Sequence, residues 1–295
     1  MGAVLSTRNR GAFAPGVFAR THVLERIPWP KHGSTPHSRS VALAEVRAAH
    51  YDVALIPSEE IEAYAFARDA RIGRRIGFVN GWEKPFKTLA VRHLLSKALV
   101  RPASARRAAE HEVETVFRLG AELHAEDAPT REVARLFPLV LDDPEPAHGR
   151  IVLQLSRKLA RHGLDAAAFV LLARELRARF EDVVALGDDP ALAEHVRREG
   201  RIDVELPENA AWKRMIAGAR ALVAPDSGAV HVAGMTGVPS LVLLAAAPSA
   251  ERDAARWRPW AAPSMALVLE RTWGPALARR AASELEGLLV GSAVG

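Results

Sequence analysis

Cysteine is missing from all 295 positions, and with it go disulfide frameworks, cysteine-ligated zinc and thiol nucleophiles. Lysine is scarce. Six lysines leave 34 arginines among the 40 basic residues, an excess that, with abundant alanine, is discounted as base composition. Long apolar runs are lacking too. A membrane-spanning helix needs about 18 consecutive apolar residues or more, and even the stretch 210–244 is broken by Lys213, Arg214, Arg220, Asp226 and His231. Residues 1–20 hold Arg8 and Arg10 with no apolar stretch behind them, so no secretory signal is expected and the cytoplasm is the expected compartment. The signatures of P-loop hydrolases, H-E-x-x-H zinc proteases and G-x-S-x-G hydrolases do not occur, and neither a metal site nor a cofactor is legible. There is no repeat of fixed period and no low-complexity tract.

What is present is globular: 49% hydrophobic residues, 25% charged and a net charge of +5, with an isoelectric point near 9.9. At roughly 100–200 residues per domain, the length fits two domains, each able to bury a core. Short β-rich apolar runs alternate with segments of helical period, which predicts an α/β fold with parallel sheets. The first half offers strands at 3–6 and 51–56 and helices at 41–49, 61–69 and 106–119, the last carrying Ala109, Val113, Val116 and Phe117 on one face. The proline-rich, acidic stretch 141–149 breaks all periodicity and is the expected linker, giving domains 1–145 and 146–295. Beyond it the alternation resumes, with strands at 150–155, 182–186, 202–206, 221–224 and 240–244 and helices at 166–180, 191–199, 210–219, 229–235 and 275–289.

Chemistry concentrates at Ala224-Pro225-Asp226-Ser227-Gly228-Ala229-Val230-His231, which reads as a strand end, a sharp turn and a helix start. Ligands of open α/β sheets bind outside the carboxyl ends of the strands. There Gly228 would let backbone approach a ligand, the free N–H groups of the following helix suit a phosphate, and Asp226 can accept sugar hydroxyls. His231, about one and a half turns on, can return toward the same ligand. The plainer alternative is that Asp226 or Ser227 caps the helix and His231 packs on a neighbour. Asp188 in Gly187-Asp188-Asp189-Pro190 follows a strand, and an aspartate there either takes a ribose hydroxyl or caps the next helix. Ser58-Glu59-Glu60 also follows a strand, and Glu59 or Glu60 is either a cap or a general base.

The segment from Ile216-Ala217-Gly218-Ala219-Arg220 to Pro239, with Asp226-Ser227-Gly228 and His231 inside it, resembles the D-[TS]-G-x-x-H region of the ADP-heptose:lipopolysaccharide heptosyltransferases. Weaker resemblances lie at Leu206-Pro207-Glu208-Asn209, at 239–244, at 45–56 and at His111-Glu112-Val113-Glu114 through Leu119-Gly120. The resemblance implies a GT-B fold of two Rossmann-like domains facing a cleft. It also implies an ADP-sugar donor, ADP-heptose in that family, an acidic lipid-linked saccharide acceptor, and inverting, metal-independent transfer.

Two departures accompany it. Residues 4–27 resemble the family's second strand, its helix and the start of its third strand, so the opening strand-helix unit is expected to be absent and the N-terminal domain incomplete. The Gly-Asp turn whose aspartate serves that family as base has no counterpart, since Gly11-Ala12 would occupy its place. At Ser156-Arg157-Lys158-Leu159-Ala160-Arg161-His162, Ser156 matches a family Thr/Ser, but Lys-x-Trp-Pro is not reproduced. Lys158, Arg161 or His162 would then supply the cation for the donor pyrophosphate; otherwise the loop is a solvated basic turn. The alternative function is a GT-B-like nucleotide-sugar-binding protein without a base.

Basic residues gather at 68–75 and 84–107, with Trp82 and Phe86 interleaved. That pattern suits a peripheral contact with anionic lipid or an acidic saccharide. Nucleic acid is the least fitting partner for a layout of two Rossmann-like domains.

Overall fold

The apolar runs that carry the α/β prediction fold into strands that, among the described residues, are hydrogen-bonded in parallel pairs. The computed structural model describes residues 1–24, 36–58, 60–101, 110–143, 147–269 and 273–292. It divides into a unit of residues Met1–Pro129 and a unit of residues Thr130–Gly295.

In the first unit, β1 (Gly2–Ser6) pairs with β2 (Arg20–Leu24), and α1 (Pro36–Ala48) follows. Next come β3 (Val53–Ile56), α2 (Ile61–Asp69), β4 (Arg74–Val79), α3 (Pro85–Arg92), β5 (Lys97–Val100) and α4 (Glu112–Phe117). Strands β3, β4 and β5 form a three-stranded sheet in that order. Tyr64 and Phe78 are among its largest fully buried side chains, and the Tyr64 hydroxyl donates to the carbonyl of Phe78 at 2.7 Å. Buried His22 of β2 lies between Glu45 and the Tyr51 hydroxyl, 3.1 Å from each. The helix expected between the first two strands is only a 3-10 turn, Thr7–Asn9, because Ser6 Oγ accepts the Asn9 N–H at 3.1 Å and closes a tight cap. Residues 25–27 of the expected third strand lie outside the described residues. The helix expected over 106–119 starts later, at Glu112. His111 caps it, accepting from the Val113 N–H at 3.1 Å while Glu114 accepts from the His111 N–H at 3.2 Å. Residues 106–109 are outside the described residues.

The second unit begins with α5 (Val133–Leu136) and continues β6 (Ile151–Gln154), α6 (Ala166–Arg179), β7 (Val183–Leu186), α7 (Pro190–Gly200), β8 (Asp203–Glu205) and α8 (Asn209–Ala217). It ends β9 (Ala221–Pro225), α9 (Gly228–Thr236), β10 (Ser240–Leu244), α10 (Ala250–Trp257), β11 (Ser264–Val268) and α11 (Pro275–Ser292). The sheet order is β8-β7-β6-β9-β10-β11, the doubly wound order with its switch point between β6 and β9. Every residue of β6, β7, β9 and β10 is buried, as parallel strands covered on both faces must be. Leu153, Phe169, Leu172 and Val223 fill one face, and Val152, Leu222, Val230 and Val242 fill the other.

The structural division falls at 129/130 rather than at the expected 145/146. Residues 130–143 pack into the second unit. The Arg131 guanidinium lies 3.8 Å from the Trp260 ring centroid, Trp260 Nε1 donates to the Thr130 carbonyl at 2.6 Å, and buried Lys213 donates to the Val140 carbonyl at 2.7 Å. Burial holds the Lys213 ammonium below its ordinary pKa, with Asp142 opposing that shift. Residues 144–146 of the expected linker are outside the described residues.

Candidate functional site

The carboxyl ends of β6 and β9 diverge at the switch point, and their loops are the two segments singled out from the sequence. After β6 the Ser156 hydroxyl accepts the Lys158 N–H at 3.1 Å, a tight turn that carries the Lys158 side chain to the β9 loop. There the ammonium donates to the Asp226 carbonyl and lies 3.2 Å from Asp226 Oδ2. Of the three cations weighed for this role, Lys158 is the one that reaches the Asp226 turn. Arg161 and His162 are exposed in the 3-10 turn Ala160–His162 and make no ion pair among the described residues.

Capping does not explain the Asp226-Ser227-Gly228 turn. Asp226 is engaged with Lys158, and Ser227, at the N-cap of α9, makes no side-chain cap bond. Its Oγ is buried without a hydrogen-bond partner among the described residues. In α9 the Val230 N–H bonds to the Ser227 carbonyl at 3.2 Å; the N–H groups of the two residues before it have no acceptor within the helix, so donors and an unpaired hydroxyl converge beside an ammonium. Gly228 is exposed, and a Cβ there would meet only Trp212 at 3.7 Å, so this glycine leaves room rather than filling a steric need. His231 is exposed on α9 with its ring edge-on to Trp257, 6.2 Å between centroids; it does pack on a neighbour. A cavity of about 210 Å³ opens beside Asp226, walled by Leu244, Asp253, Trp257 and Met265. Ser156 borders a second cavity of about 310 Å³ with Arg157, Phe169 and His195.

In the Gly187-Asp188-Asp189 turn the roles separate. Asp189 caps α7, accepting the Leu192 N–H at 3.0 Å, and pairs with Arg157, whose hydrogen bond holds the Asp189 carboxyl below its usual range. Asp188 is exposed and makes no ion pair or hydrogen bond among the described residues. In the first unit, Glu60 stands at the N-cap of α2 without a side-chain cap bond, while Ser58 Oγ accepts the Glu60 N–H at 3.1 Å. The Glu60 side chain therefore does not cap α2, and the Ser58 bond, made to the N-cap residue's own N–H, does not reach the first turn of the helix. Glu59 lies outside the described residues.

Two residues that frame the switch point went unnoticed in the sequence. Buried Gln154 ends β6, donating to the carbonyls of Leu155 and Leu186 at 2.9 and 3.1 Å, and its Oε1 accepts Trp212 Nε1 at 2.7 Å. The visible signal is one amide side chain closing an otherwise apolar strand run, a position that demands buried partners. Among the described residues no group of three or more His, Cys, Asp or Glu side chains is placed to hold a metal ion. No described helix is long and apolar enough to cross a membrane.

No protein-family model and no curated protein matches the chain. Solved structures do. A structure of E. coli heptosyltransferase WaaC with ADP aligns with a TM-score of 0.68 at 14% identity, over 91% of this chain and 83% of that one. The E. coli ADP-heptose LPS heptosyltransferase II aligns at 0.61 with 17% identity, over 93% and 84%. A glycosyl transferase family 9 protein from Veillonella parvula aligns at 0.63 with 16% identity, over 98% and 88%. The two parallel α/β units of this chain thus share the GT-B fold of the heptosyltransferases that its Asp226-Ser227-Gly228 segment resembles.

Proposed function

We propose that the chain is a glycosyltransferase that takes a nucleotide-diphosphate sugar at the carboxyl end of the second unit's sheet, with ADP-heptose as donor and an anionic, lipid-linked saccharide as acceptor. The observation that carries this reading is the meeting of Lys158, Asp226 and the uncapped start of α9 at the switch point. A diphosphate finds there an ammonium, helix N–H groups and the Ser227 hydroxyl, which together offset its charge and that of the leaving group. Asp226, displaced from Lys158, accepts sugar hydroxyls, and His231 and Asp188 border the same end of the sheet.

Transfer requires an acceptor hydroxyl to lose its proton to a carboxylate. Its oxygen then bonds to the anomeric carbon as the bond from that carbon to the diphosphate oxygen breaks, and ADP leaves with the electron pair, inverting the configuration. Glu60, uncapped at a strand end, and Glu59 beside it are the assigned candidates for that base. One observation favours the second reading, a donor-binding protein without transfer. Gly11-Ala12 stands where the family's Gly-Asp turn would be, and the sequence between β1 and β2 contains no carboxylate.

Calorimetric titration of ADP and ADP-heptose into the full chain tests the donor site, and absence of binding by both would refute it. ADP release from ADP-heptose with a truncated lipid A core acceptor separates the two readings. Binding without release supports the second.

A further inference from the structure

Helix α3 wears its apolar side chains outward. At about 100° per residue, Phe86, Leu89 and Ala90 share a stripe opposite Val91, which is buried against the first unit's core together with Leu94 and Leu95. Phe86 is 87% exposed, Leu89 is 74% exposed, and Trp82, in the 3-10 turn just before the helix, is 95% exposed. Val100, 59% exposed, extends the patch beside Gly81, where a Cβ would stand 3.3 Å from it. The ridge is braced. Thr88 Oγ1 donates to the Gly81 carbonyl at 3.0 Å and the Thr88 N–H to the Lys84 carbonyl at 2.9 Å, tying the tryptophan's turn to the helix. Solvent exposure of four large apolar side chains in one place is the pattern of an interaction surface.

Charge selects the occupant. Lys87 and Arg92 flank the stripe on either side, and Lys84 precedes it. None of the three makes an ion pair among the described residues. From Lys84 to Ala109 the sequence contains no aspartate or glutamate. An exposed ridge with Trp82 and Phe86 on it and cations on both flanks, which outnumber the one acid in its turn, Glu83, lets the rings enter the acyl boundary while the ammonium and guanidinium groups remain at headgroup level. We propose that this ridge, Trp82, Phe86 and Leu89 with Lys84, Lys87 and Arg92, is a docking surface for anionic lipid bilayers. It holds independently of the donor-site reading, because no residue of the second unit enters it.

The test is co-sedimentation of the full chain with vesicles of phosphatidylcholine, with and without phosphatidylglycerol. The wild type is expected to pellet with the anionic vesicles at low salt and to be released as salt rises. The triple variant W82A/F86A/L89A is expected to bind at least about tenfold more weakly. The variant K84Q/K87Q/R92Q is expected to lose the preference for phosphatidylglycerol. Five of the six side chains are exposed and Lys87 is half-buried without an ion pair among the described residues, so far-UV circular dichroism should match the wild type. A blue shift of tryptophan emission on adding vesicles, present in the wild type and lost in Trp82→Phe, places the ring in the bilayer. Wild-type protein remaining in the supernatant with anionic vesicles, or equal pelleting of the wild type and the apolar triple variant, overturns the proposal. So does self-association in sedimentation velocity that W82A/F86A/L89A abolishes, which would make a second copy the occupant.

Discussion

Lys158 and Asp226 are expected to respond in opposite senses to truncation. The ammonium lies 3.2 Å from the carboxylate, and the side chains are 53% and 30% exposed, so the pair itself is worth only about 0–1 kcal/mol. An ammonium donating to a diphosphate in the α9 cradle contributes more, about 1–2 kcal/mol. Lys158→Ala should therefore weaken ADP by about 5–30-fold. Asp226→Ala removes the group that competes with phosphate for Lys158 and should leave ADP binding unchanged or tighten it by up to about fivefold. The same variant loses the sugar's hydrogen-bond acceptor, so the ratio of ADP-heptose to ADP affinity should fall. Titration calorimetry on the two variants and the wild type, at matched ionic strength, reads each quantity. Equal losses for both ligands in Asp226→Ala, or unchanged ADP affinity in Lys158→Ala, would refute the assignment.

Other expectations are simpler. Gly234 of α9 presses on the 259–260 backbone, where a Cβ would stand 2.7 Å from the Trp260 nitrogen. Gly234→Ala should cost about 1–3 kcal/mol in urea unfolding, whereas Gly228→Ala, with Trp212 at 3.7 Å, should be nearly neutral; equal effects would contradict the packing. The Asp69 carboxyl titrates below its ordinary 3.8, chiefly through its hydrogen bond from Arg39 and also through Arg68. Its contribution is thus complete above that pH and disappears as pH falls through the lowered value. Asp69→Asn should lower stability by up to about 1 kcal/mol at neutral pH, and the gap from the wild type should close below pH 3.8; a gap constant from neutral to strongly acidic pH would exclude the ion pair as its cause. If ADP release is observed, Glu60→Gln should reduce it by about 10²–10⁴-fold with ADP affinity intact, and a smaller loss would assign the proton transfer elsewhere.

The second unit was the more legible half because its strands are buried on both faces and so read as apolar runs: 151–153, 183–186, 221–225 and 241–244. In the first unit β4, the middle strand, begins Arg74-Arg75 and carries Gly77 among its buried residues, and β5, an edge strand, begins with Lys97, so neither offers a long unbroken apolar run. Helix α10, Ala250–Trp257, is only 8 residues long, and its apolar stripe is Ala250, Ala254 and Trp257, so its period spans barely two turns. The division at 129/130 escaped for a similar reason. Proline and acid mark where a chain bends, but Arg131 on Trp260 and Lys213 on Val140 decide which core a segment joins, and both are long-range contacts. At the site, Asp226, Ser227 and Lys158 were visible as residue types at a strand end, whereas the pairing of Lys158 rather than Arg161 required the turn closed by Ser156.

The Lys158–Asp226 contact also bears on what the unloaded site refuses. An ammonium already provided with its own carboxylate offers little to a monovalent anion, which would replace one unit of charge with another and gain almost nothing. A diphosphate brings more than one charge and several acceptor oxygens, so it can outbid the resident carboxylate and still use the helix N–H groups. At the proposed donor site the internal pair is therefore expected to act as a valence filter, discriminating against chloride and acetate with only a small loss in diphosphate affinity.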